Sequence, residues 1–214
     1  MAGANNSKIA IVNLSLSILG EESIRSFDES NKRARLSSNL YDLATEYVLS
    51  RYEWSFARTL FKMNLRAEGY LAEELKMGIY IYQIPSDCLM PIDILPRTRR
   101  HEWHRIGPDI HSNFAEAVLY YITSEVSPSD FNPPFINAVA AQLSYYLSNP
   151  LVQNLDLTKD FGNAAESVIL RSIEEDAAIG SEHLHLDRDP SKDTFVDPDD
   201  KIFSTVDKSR YLAT

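Results

Sequence analysis

Hydrophobic and polar positions fall into two textures along this chain. Ile9, Val12, Leu16 and Leu19 recur at helical spacing, although Val12, Leu14, Leu16 and Ile18 also alternate as a strand would. Asn6 or Ser7 as a cap and Gly20 as a stop favour a helix over residues 9 to 19. A second helical stripe, Leu36, Leu40, Leu43, Ala44, Tyr47 and Val48, lies between about Ser30 and Tyr52. From Trp54 to about Val126 the pattern breaks into short alternating runs separated by Gly, Pro and charged loops. Helical spacing returns after Asn132-Pro133, a cap followed by proline at the first helical position. Ile136, Val139, Ala140, Leu143 and Leu147 follow, and Asn149-Pro150 reads as the end. A fourth helix is predicted from about Asp156 to Ile179. Phe161, Ala164, Ala165, Val168, Ile169 and Ile173 would face inward, with Gly180 as its stop.

Within the β texture, "GIYIYQIPSDCLMPIDIL" (residues 78 to 95) reads as two strands around a Pro-Ser-Asp turn, because Tyr80 and Tyr82 alternate with Ile79, Ile81 and Ile84. Tyr120 to Thr123 makes a last strand there. The predicted fold class is mainly α with a β insertion (α+β). A four-helix bundle core carries a small antiparallel β module, about 54 to 126, between helices two and three. Leu40, Leu43, Tyr47, Ile136, Val139, Leu143, Val168 and Ile169 are its expected core. Residues 1 to 180 form the main domain, and 181 to 214 an extended C-terminal arm. From Ser181 onward eight acids face five bases, without a helical stripe. Such a segment does not repay its ordering entropy alone. It is either a disordered end or an arm that orders on a neighbour. Its spaced anchors, Phe195, Ile202, Phe203 and Tyr211 among them, favour the arm.

Composition excludes more than it assigns. With 214 residues, 44% of them hydrophobic, the chain can bury one sizeable core. Its single cysteine, Cys88, allows no internal disulfide, as expected in a reducing compartment or where redox is indifferent. No apolar run approaches the roughly 20 residues that span a bilayer, so no membrane partner is expected. Lys8 precedes an apolar stretch, but Asn13, Ser15 and Ser17 interrupt it and no small-residue cleavage site follows. The segment is expected to belong to the mature fold. A net charge of −10 argues against a protein that grips DNA through its phosphates.

Catalytic constellations fail on inspection. In "HEWHRIGPDIH" the first histidines, His101 and His104, are three apart, and Gly107-Pro108 interrupts before His111, so the helical zinc-protease pattern is not met. Cys88 sits among hydrophobics without a fixed histidine partner, as a packed thiol does. Glu21-Glu22, Glu73-Glu74 and Glu174-Glu175 are adjacent carboxylates on solvated faces. Seven glycines leave little material for a phosphate loop. No catalytic residue, metal or cofactor is expected. The basic run "PRTRRHEWHR", residues 96 to 105, is a solvated loop by default and otherwise a contact for an acidic partner or DNA.

Five segments in order resemble the head-to-tail adaptors of short-tailed bacteriophages, the tail tubular protein A family. They are "NLSLSILGEESIRSFDE" at 13 to 29, "YEWSFA" at 52 to 57, "YIYQIPSDCL" at 80 to 89, "YYITSEVSPSDFNPPFINAVAAQLSYYLS" at 120 to 148, and the last helix with Glu174-Glu175-Asp176-Ala177. The likeness covers about residues 9 to 180. One departure is Gly78-Ile79, where the family often has Gly-Trp. The resemblance implies a non-enzymatic virion component assembled in the host bacterial cytoplasm. It would form a homo-oligomeric ring, twelve subunits by the family's pattern. The ring would dock beneath the portal protein, carry the tail nozzle protein, adjoin the tail fibres, and let double-stranded DNA pass without specific binding. Trp54, Phe56, Tyr80, Tyr82, Pro85 and Cys88 would then be packing residues, and Phe195, Ile202, Phe203 and Tyr211 the arm's contacts with a partner. An acidic channel wall repels a sliding duplex, which suits that role. A tail-associated cell-wall hydrolase or a DNA-binding packaging factor are the rival classes. The first needs two flanking carboxylates and the second a basic surface.

Overall fold

Ser7 opens the first helix by accepting the backbone N–H of Ala10 at 3.1 Å, and α1 runs Lys8–Ile18. Gly20 ends it at φ +73, where the N–H of Glu21 reaches back to the Leu16 carbonyl at 2.9 Å. The computed structural model describes residues 7–68, 80–95, 102–113 and 115–182. The fold is mixed α and β, with four α-helices and two small antiparallel sheets among the described residues. By its contacts the chain divides into units 1–180 and 181–214, and from 183 onward the second lies outside the described residues.

The second helix, α2, spans Lys32–Leu49 behind the Asn31 cap. The third, α3, spans Pro133–Val152 behind Asn132, whose side chain accepts from Phe135 N at 3.0 Å. Eleven of its twenty residues are buried, so α3 is the central helix, with α1 and α2 packed closely on it. α4, Leu155–Glu182, runs antiparallel to α3, since Gly162 lies beside the Tyr145 ring and Asp176 reaches Asn132.

Three sequence expectations need correcting here. The buried face of α2 is Ala34, Ser37, Tyr41, Ala44 and Val48; Ala44 and Val48 belong to the predicted stripe, but its leucines lie roughly a quarter turn away. Leu43 is 53% exposed, while Leu40 and Tyr47 pack half-buried at the flank. Ala34, Ser37 and Ala44 on the inner face are small, which favours close approach of α2 to the helix it packs on. Pro150 does not end α3. It sits in the last turn, where its carbonyl accepts the Lys32 ammonium, and Gln153 closes the helix at φ 55. Nor does Gly180 stop α4, which continues to Glu182. Of the expected inward set on α4, Ala165 and Ile169 are buried and Ala164 is exposed.

All the strands among the described residues lie between α2 and α3 in sequence: β1 Arg58–Lys62, β2 Leu65–Glu68, β3 Tyr80–Gln83, β4 Cys88–Leu95, β5 Trp103–Ile106, β6 Asp109–Ser112 and β7 Val118–Thr123. They form not one module but two sheets, ordered β1-β7-β4 and β2-β3-β6-β5. The two strands flanking Pro-Ser-Asp therefore do not pair with each other. β3 pairs with β6, and β4 with β7. The only tight hairpin among them is β5–β6, where Gly107 at φ +60 takes the first central position of a two-residue turn with Pro108.

β7 joins two hydrophobic clusters. Ile122 belongs to the helical one, with Trp54, Phe135, Leu143 and Ile169. Leu119 and Tyr121 belong to the other, with Met63, Tyr82, Ile94 and Ile110. Alternate residues of one strand thus face the helices and the second sheet.

Candidate functional site

The residues singled out in the sequence gather at two joints. The first begins at Trp54, which is fully buried and whose indole N–H donates to the Val48 carbonyl at 2.8 Å, closing the end of α2. Its ring meets Phe135 edge-on at 4.9 Å. Phe56 meets Phe135 at 4.9 Å, and Phe131 meets Phe135 at 4.7 Å. Such contacts contribute about 0.5–1.5 kcal/mol each beyond burial. Beside this cluster lies Asp176 of α4, 1% exposed. Its carboxylate accepts Ser55 N at 3.1 Å, Ser55 Oγ at 2.8 Å and Asn132 Nδ2 at 2.5 Å. Hydrogen bonds thus satisfy a buried charge that has no ion-pair partner among the described residues. Segments far apart in sequence, 54–57, 131–135 and 176, are knotted here.

The second joint is the Pro-Ser-Asp turn. Cys88 N closes it on the half-buried Pro85's carbonyl at 3.1 Å. The Asp87 carboxylate accepts Tyr121 Oη at 2.8 Å and Thr123 Oγ1 at 2.7 Å, and its carbonyl accepts Ser124 N at 2.8 Å. Burial pushes the Tyr121 phenol up, and Asp87 as its acceptor pushes it further. Tyr82 is buried and Tyr80 half-buried in the same cluster, and burial raises the Tyr82 phenol as well. The half-buried Cys88 thiol is raised to about 11, first by burial, with Arg105 opposing and Asp87 reinforcing. A thiol held protonated at neutral pH is a poor nucleophile.

A third clamp went unread in the sequence. Asn13 donates from Nδ2 to the Ile24 carbonyl at 2.9 Å and accepts Ile24 N at 2.8 Å, fixing the loop after α1. Asp176 and Asp87 were also missed as acceptors. The signal for Asp176 was its place near a helix C-terminus, where an acid opposes the dipole and needs a compensating partner. Asp87 follows proline in a turn, where an aspartate accepts local bonds.

Other candidates do not converge. His104 and His111 stand opposite each other across β5–β6, but His101 is outside the described residues, and no group of three metal-ligating side chains occurs among those that are described. Of the basic run, residues 96–101 are outside, and Arg105 is exposed. Glu21 and Glu22 pair with Arg33, and Glu175 with Arg171. Glu73 and Glu74 lie outside the described residues, as do Phe195, Ile202, Phe203 and Tyr211. A cleft of ≈ 290 Å³ between α1, α2 and residues 124–131 holds Lys8 and Asp42, 2.8 Å apart, which neutralise each other. Burial raises Tyr41, on its wall, to about 12.

No helix among the described residues is long and apolar enough to cross a membrane. No protein-family model matches the chain, and no curated protein sequence matches it.

Proposed function

We propose that the chain is a structural subunit of a phage head-to-tail adaptor, a non-enzymatic virion protein of the neck. A ring of copies, twelve by the family's pattern, would sit beneath the portal protein. It would carry the tail nozzle beside the tail fibres and line the channel through which DNA leaves. In this reading the helices are a bundle core, and the sheets an insertion carried on it.

One observation carries the reading. In each segment that resembles the adaptor family, residues are engaged in internal joints: Asn13 on Ile24, Trp54 and Ser55 at the α2 exit, Asp87 on Tyr121 and Thr123, Asn132 capping α3, and Asp176 beneath them. Motif residues spent on rigid positioning are what a scaffold needs. A catalyst instead brings reactive groups together around a cleft. The charge of −10 supports the channel role, since low affinity for phosphate keeps a duplex moving.

The arm is the portal-side or neighbour-side clasp in this reading, with Phe195, Ile202, Phe203 and Tyr211 in apolar grooves of the adjacent subunit or the portal. The test mixes full-length protein, or a form lacking residues 181–214, with portal-bearing tailless capsids and images both by negative stain. Full-length protein should add a ring at the portal vertex. The truncated form should keep its thermal midpoint and fail to dock. Clearing of a peptidoglycan gel would replace this reading with a wall hydrolase. A salt-sensitive shift of DNA would replace it with a packaging factor.

A further inference from the structure

The four helices are not held equally. α3 buries eleven of its twenty residues, whereas α4 has four buried side chains between 155 and 179: Ala165, Ile169, Ser172 and Asp176. Two of those are small and two are polar, with Ser172 counted in both, and Phe161, Val168 and Ile173 are only half-buried, so α4 is fastened by less apolar area than α3. A larger share of its hold is polar. The Asp176 carboxylate takes three hydrogen bonds from Ser55 and Asn132, and nearer the start of the helix Glu166 pairs with Arg51 at the surface. A half-exposed ion pair of that kind adds little.

At the other end, α4 leaves α3 through Gln153 and Asn154. Gln153 is the only non-glycine residue with positive φ among the described residues, at φ 55 and ψ 35. A side chain in that left-handed region sits above its relaxed backbone minimum. Asn154 starts α4 independently, its side chain accepting Asp156 N at 3.0 Å and Leu157 N at 3.2 Å. The helix is capped on its own side of the link, so it can part from α3 there, but once off the core it loses the packing that supplies most of a helix's stability. Because Asp176 lies level with the α3 cap residue, α4 also continues past the start of α3.

We propose that α4 is a hinged strut. It swings off the core about Gln153–Asn154 when the Asp176 clasp opens, frays once detached so that its amides open with it, and exposes the part of the helical cluster that Ile169 and Ile173 cover. α1, α2 and α3 stay folded, because their contacts with one another do not pass through α4. The opening is a sub-global event with its own free energy, below that of whole-chain unfolding. This inference rests on packing and stands apart from the adaptor reading.

Amide hydrogen exchange on the full chain tests it. Amides of residues 165–179 should exchange at least 100-fold faster than those of Val139–Leu147, with a weaker dependence on added denaturant, since opening exposes less surface than unfolding. Asp176→Ala should speed exchange in α4 at least tenfold and leave the ratio among α1, α2 and α3 unchanged. Exchange of α4 in step with α3, at the same denaturant slope in the unaltered protein, would overturn the strut. So would an Asp176→Ala variant that loosens all four helices equally.

Discussion

Asp87 has two hydroxyl donors and a folded-back turn depending on it, which makes it the most exposed single point of failure in the sheets. Asp87→Ala would leave Tyr121 Oη and Thr123 Oγ1 without their acceptor, and should lower stability by about 1–3 kcal/mol in urea unfolding. Tyr121→Phe removes one donor and leaves the carboxylate its other partner, so it should cost about 0.5–1.5 kcal/mol. An Asp87→Ala loss smaller than the Tyr121→Phe loss would mean that the latch is misassigned. The raised thiol gives a pH prediction at the same scale. Between about pH 9 and 11 the unfolded chain releases the Cys88 proton while the folded chain keeps it. The unfolded state then binds fewer protons, so stability falls as pH rises through that window. Thermal midpoints measured from pH 8 to 11 should fall less steeply for Cys88→Ser than for the unaltered protein. If the proposed adaptor reading holds, ring assembly near neutral pH should survive that substitution.

Elements were legible where their signals are local. The Ser7 and Asn132 caps and the Gly20 stop act within a turn of helix, and each sits where the sequence places it. Period-two alternation likewise marked β3, β4 and β7. What failed needed a neighbour. Leucines outweighed alanines in choosing the face of α2, but the closest approach of two helices selects small side chains. Pro150 read as a stop because its partner across space, Lys32, is invisible in a one-dimensional pattern. Strand pairing is non-local too: the two strands around Pro85–Asp87 were legible, but that the turn crosses between sheets was not. The same reasoning separates two leucines. Leu143→Ala, in the buried centre of α3, should cost about 2–5 kcal/mol. Leu43→Ala, 53% exposed, should change stability by less than about 0.5 kcal/mol. Equal losses would restore the leucine stripe as the inner face of α2.

At the scale of the molecule, β7 decides whether the helical and sheet clusters behave as one body. Ile122 faces one and Tyr121 the other, and no residue separates them. Each cluster contains one of the two tryptophans: Trp54 lies in the helical core and Trp103 packs against the sheet core. With fluorinated tryptophan, the two fluorine resonances should therefore lose native intensity at one denaturant midpoint. Ile122→Ala should lower both midpoints together. Two separated transitions would show that β7 does not couple the clusters.

The pairing of β1 with β7 also sets a timetable for synthesis. Leu60 and its partner Tyr120 are sixty residues apart in the chain. At about 5–20 residues per second, a ribosome needs roughly 3–12 s to deliver the partner after β1 has emerged. During that interval the segment Thr59-Leu60-Phe61 is an unpaired apolar strand, the kind that recruits other nascent chains. Arg58 and Lys62 bracket it, and charges so placed discourage strand-to-strand association. These two basic residues, of which Arg58 also donates to the Glu53 carbonyl at 2.8 Å in the finished fold, would thus serve the chain before the sheet exists. Neutralising both should lower the soluble yield far more than it lowers the melting temperature of whatever folds.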